Sequence, residues 1–83
     1  MNWHKFTEML PILSWDEYKI RKESSILLLY SSKEDVLEFG MVTQDYGVTD
    51  LEVNIFGAYE GHEWTNTDVF DYWCYEDEIP KPK

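Results

Sequence analysis

Acids and aromatics crowd one stretch of this chain. Between Glu60 and Glu78, the carboxylates of Glu60, Glu63, Asp68, Asp71, Glu76, Asp77 and Glu78 are interspersed with Tyr59, Trp64, Phe70, Tyr72, Trp73 and Tyr75. Trp and Tyr are the side chains from which interface hot spots are built. Charge arranged around them steers a partner of opposite sign onto the surface. The residues expected to bind a partner are Glu60, Glu63, Trp64, Asp68, Asp71, Glu76, Asp77 and Glu78. Phe70 and Trp73 are read instead as core residues of a strand whose acids face solvent.

The remaining chemistry-bearing residues do not assemble into a motif. Structural zinc sites pair Cys or His at short fixed spacings. His4, His62 and Cys74 stand far apart, and His62-Glu63 lacks the second His of H-E-x-x-H. No stretch has the alternating oxygen ligands and Gly of a calcium loop. A nucleophile needs a base within reach and a group to orient that base. Cys74 lies between Trp73 and Tyr75, the setting of a buried, inert thiol. With 17 acids in 83 residues, chance carboxylate pairs are expected and identify no acid–base centre. The 4 glycines are scattered, so no phosphate-cradling loop is present. The reading is of a non-enzymatic protein with no cofactor and no metal.

Charge points to the class of partner. Residues 1–33 hold five basic and four acidic side chains, whereas 34–83 hold two basic and thirteen acidic ones, and no Lys or Arg occurs from Glu34 to Pro80. Such a surface repels nucleic acid and membranes and attracts basic proteins, besides keeping an aromatic-rich domain soluble. The three clustered cations Lys19, Arg21 and Lys22 are read as a solvated face. One cysteine permits no internal disulfide, and Met1 to Lys5 lacks the apolar stretch of a signal peptide. Both features suggest the cytoplasm.

The elements that must position these residues form one domain spanning 1–83, with 79–83 an extended, Pro-containing tail. Ser14-Trp15-Asp16-Glu17 fits a capping box, predicting a short helix through Lys22, and a second helical turn is expected near His4 to Met9, ended by Pro11. Ser25 to Ser31 reads as a central strand. Val36 to Gln44 follows after a polar turn, with Leu37, Phe39 and Met41 on one face and Glu38 and Gly40 on the other. Leu51, Val53 and Ile55 mark a third strand, Gly57 and Gly61 a loop, and Val69 to Tyr75 a fourth strand. The expected fold is α+β: an antiparallel sheet of about four strands with one or two short helices packed on it.

The order of certain residues also matters. Trp3 opens the chain, Leu10-Pro11 follows, an apolar strand ends in Tyr30, and Glu38-Phe39-Gly40 lies on the next strand. Asp68-Val69, Tyr72-Trp73 and Ile79-Pro80-Lys81-Pro82 close the chain. This order resembles the small phage and prophage domain known as domain of unknown function 551. In that family an opening Trp, a Leu-Pro pair, a Val-Leu-Val-Tyr type strand and a closing Trp before Pro-rich residues recur. The segment from Pro11 to Ile26 is longer and more charged than the family pattern, and Tyr72 stands where a His commonly precedes the closing Trp. The resemblance implies a phage or mobile-element origin and a β-rich fold. It brings no established activity, so no functional residue is carried over.

Three functions follow as expectations. The first is an acidic phage-type inhibitor that occupies a basic, nucleic-acid-handling host protein (a nuclease, a CRISPR effector or a toxin), competing for the Lys and Arg that hold the nucleic-acid backbone. The second is a phage accessory or structural protein acting through self-association. The third is a small-molecule-binding module with a Trp- and Tyr-lined pocket.

Overall fold

The computed structural model describes residues 2–58 and 61–78, with the backbone alone over 57–58 and 61–64. It is one antiparallel sheet of eight strands: β1 (His4–Lys5), β2 (Ser14–Trp15), β3 (Arg21–Glu23), β4 (Leu27–Ser31), β5 (Val36–Asp45), β6 (Glu52–Ala58), β7 (Gly61–Thr65) and β8 (Tyr72–Tyr75). Among the described residues one 3-10 turn, Glu76–Glu78, follows β8. Strand accounts for 46% of the chain and helical turns for 4%, and the sheet curls into a half-barrel. The expected α+β fold, with helices packed on a four-stranded sheet, is therefore overturned.

The ten-residue β5 organises the sheet. Gly40 pairs with both Leu27 and Ile55, and Thr43 with both Glu23 and Glu52, so β3 and β4 share one edge of β5 and β6 takes the other. From Glu23 to Leu27 the chain advances four residues while its partners on β5 retreat three, Thr43 to Gly40. That extra residue is a β-bulge, which bends and twists a strand. Ser24 fills the gap: its N–H donates to the Val42 carbonyl at 2.9 Å, and its buried Oγ accepts the Val42 N–H at 2.9 Å. Beyond β4 lie β8 and then β1, and beyond β3 lies β2.

The helix expected from Ser14 through Lys22 does not form. The segment is instead the β2–β3 hairpin, with Ser14 opposite Glu23 and Trp15 opposite Lys22. The Asp16 carboxylate accepts the N–H groups of Ile20 at 3.0 Å and Arg21 at 3.4 Å, closing the turn that a capping box would have opened as a helix. Lys19 takes the left-handed conformation at φ 57°. Pairing of Arg21 to Glu23 with β5 supplies a ladder that a helix would forgo, and the local propensity loses. Near the start of the chain only one turn forms, with Met9 N–H donating to the Lys5 carbonyl at 2.9 Å after β1. Of the expected strands, the hairpin of Ser25–Ser31 with Val36–Gln44 is present as β4 and β5, the third as β6, and the fourth as the shorter β8.

The core occupies the inner face of the curl. Leu27 and Leu29 of β4, Val42 of β5, Val53 and Ile55 of β6 and Trp73 of β8 meet Phe6 and Phe70. Phe70 and Trp73 are buried, as read from the sequence. The Trp73 indole N–H donates to the Met9 carbonyl at 2.9 Å, and the Tyr75 hydroxyl accepts the Ile12 N–H at 3.0 Å. Both core-facing aromatics of β8 thereby hold the segment leading to β2. The alternation along β5 is as expected, and the Gly40 face is the one that turns inward. Gly40 and Val42 are buried, while Leu37 is 56% and Phe39 46% exposed. A Cβ on Gly40 would stand 2.3 Å from the Asn54 carbonyl oxygen and 2.9 Å from Leu29 Cδ1, so the inner face closes there only over glycine.

Candidate partner-binding site

Strand β8 separates the acids that the sequence groups together. Asp68 and Asp71 precede it, and Glu76, Asp77 and Glu78 follow it. Asp68 and Asp71 line a groove of about 480 Å³ with Lys5, Ser32 and Tyr72. The Asp71 carboxylate accepts the Ser32 N–H at 3.0 Å and also the Ser32 hydroxyl. Partial burial works against its charge, but those bonds and the nearby Lys5 hold the carboxyl below its ordinary range. At the other end, Asp77 shares a groove of about 270 Å³ with Glu23, Ser25 and Tyr75. Glu23 thus joins the predicted acids through the fold, a neighbour that sequence distance conceals. Glu60 lies outside the described residues, as do the side chains of Glu63 and Trp64, whose backbone belongs to β7.

The outer face of the sheet carries a surface that sequence reading missed. Pairings of Tyr30 with Leu37 and with Tyr72 place these three side chains together. With Trp3 and Ser32 they line an open groove of about 410 Å³. Ring centroids of Trp3 and Tyr30 are 6.1 Å apart and those of Tyr30 and Tyr72 6.0 Å, each pair tilted by 55°. Tyr30 Oη donates to Asp35 Oδ1 at 2.8 Å. That bond above all, then partial burial and the charges of Asp35 and Asp71, pushes the phenol above its ordinary pKa. The available signal was the strict alternation of Leu37 and Phe39 with Glu38 and Gly40, but periodicity does not say which face is covered.

Of the groups considered for catalysis, the His62 side chain lies outside the described residues. Cys74 is fully buried, and burial, with the Glu78 carboxylate, raises its thiol pKa. The His4 ring lies against Trp73, with centroids 4.6 Å apart. Among the described residues no group of three or more His, Cys, Asp or Glu is placed to hold a metal ion. None of their helices is long and apolar enough to cross a membrane. The described residues thus bring aromatic rings together on the outer face and acids at the two ends of β8.

No family model, curated protein or solved structure matches this chain. The class that fold and surface define is a small, curled antiparallel β-domain with an aromatic outer groove and acids at both ends of β8.

Proposed function

We propose that this chain is a non-enzymatic acidic inhibitor that binds a basic, nucleic-acid-handling protein in the cytoplasm of a bacterial host and occupies the surface that protein uses for nucleic acid. The observation that carries this reading is the run from Glu34 to Pro80 without a single Lys or Arg, on a sheet that exposes acids at both ends of β8. Asp68 and Asp77 are exposed, and Asp71, Glu76 and Glu78 are partly so. Lys and Arg side chains that normally release counterions on meeting phosphates find carboxylates here instead. The phage setting, and with it anti-CRISPR or anti-restriction activity, rests on the sequence resemblance alone.

The acids at the far end of β8 give the test. Replacing Glu76, Asp77 and Glu78 together with Lys reverses six units of charge on a turn that contains no buried residue. The expected result is weaker binding to the target, mostly through a slower association rate that depends less on salt. Unchanged affinity and association rate would remove this turn from the interface.

A further inference from the structure

The groove on the outer face has a composition that solubility does not require. Its lining is Trp3, Tyr30, Leu37 and Tyr72 with Ser32, so three of its five residues are aromatic. The face of an aromatic ring attracts cations, Arg above all, because the planar guanidinium can stack as well as charge-pair. Tyr72 already takes one: Lys5 Nζ stands 5.6 Å from its ring centroid. Lys5 does so from the adjoining groove, which shares Tyr72 and Ser32 with this one.

The charges around the groove favour a cation. Asp35 is bonded to the Tyr30 hydroxyl and Asp71 to Ser32. Beside the groove, on the 32–35 turn and just before β8, the acids Glu34, Asp35 and Asp71 outnumber the bases Lys5 and Lys33. A neutral apolar side chain would gain from the rings but nothing from this field, whereas a guanidinium gains from both.

We propose that this groove receives an arginine side chain of the basic partner, laid against Trp3, Tyr30 and Tyr72 between Asp35 and Asp71. The inference rests on the reading of the domain as a binder of a basic protein, and it names the place where that protein is gripped.

The test titrates the isotope-labelled full chain, followed by amide NMR, with a capped octapeptide of alternating arginine and glycine. Matched peptides carry citrulline or leucine in place of arginine. The arginine peptide is expected to shift the amides of Trp3, Ser32, Leu37 and Tyr72 and the Trp3 indole N–H, and the citrulline and leucine peptides are not. Trp3→Ala is expected to weaken binding by roughly tenfold. Tyr72→Phe keeps the ring and the affinity, whereas Tyr72→Leu keeps an apolar strand residue and loses affinity. Shifts confined to residues 76–78 would overturn the groove while leaving the acidic-partner reading in place. An equal response to the citrulline or leucine peptide would also overturn it. No binding of the arginine peptide anywhere, even at low salt, would overturn both.

Discussion

Asp71 ties the β4–β5 turn to the segment entering β8 through two hydrogen bonds from Ser32, 39 residues away in sequence. These bonds are stronger to the ionised carboxylate, and its folded pKa is held below the ordinary value. A depressed folded pKa means the stabilisation is fully present above the unfolded value, about 3.9. It is lost as pH falls through the lower, folded one. Asp71→Asn is therefore expected to lower the urea midpoint at pH 7 and to lose that difference progressively below pH ~4. A difference that persists unchanged in acid would show that the side chain acts by shape and not by charge. Asp16 does a similar task at the β2–β3 turn, where a carboxylate accepting two N–H groups closes a hairpin. The same residue, read in sequence beside Ser14 and Glu17, pointed to a helix start, because a side chain that satisfies backbone donors suits a turn as well as a cap.

At the scale of elements, the bulge between β3 and β4 is what lets one long hairpin curl. Ser24 replaces the missing ladder partner of Val42 with its own hydroxyl, in a buried position. Ser24→Ala leaves that N–H without an acceptor and is expected to cost about 1–3 kcal/mol, measured by denaturant unfolding. A loss within ~0.5 kcal/mol of zero, the range of ordinary surface substitutions, would mean that the bulge is held by β5 and β6 without Ser24. The strands legible in sequence were those with apolar runs or strict alternation: Ser25 to Ser31, Val36 to Gln44, Leu51 to Ile55 and Val69 to Tyr75. The short strands His4–Lys5, Ser14–Trp15 and Arg21–Glu23 carry almost no apolar signal, being defined by the partners they meet and not by their own pattern. The groove was hidden for a related reason. Trp3, Tyr30 and Tyr72 are brought together by pairing across β4 and β8, while the inner face at Gly40 is claimed by Leu29 and the Asn54 carbonyl, turning Leu37 and Phe39 outward.

Over the whole molecule, the net charge stays strongly acidic, whereas the expected cluster of acids is divided between the two ends of β8. The net charge of −10 surrounds a core of eight packed apolar residues and an outer face with three rings. A long-range field of one sign raises the rate of encounter, and a local aromatic site sets what is held after it. A binder of this design should meet its target quickly at low salt and lose rate faster than residence time as salt rises. The measurement that tests this account most directly is capture from bacterial lysate on the tagged full chain at low and moderate salt, with DNA or RNA as competitor and mass spectrometry to identify what is retained. The account predicts one basic, nucleic-acid-handling protein, retained better at low salt, displaced by added nucleic acid, and lost when Glu76, Asp77 and Glu78 become Lys. No specific protein at either salt, or one whose retention ignores salt, competitor and charge reversal, would contradict it and leave the acidic surface as a device for solubility.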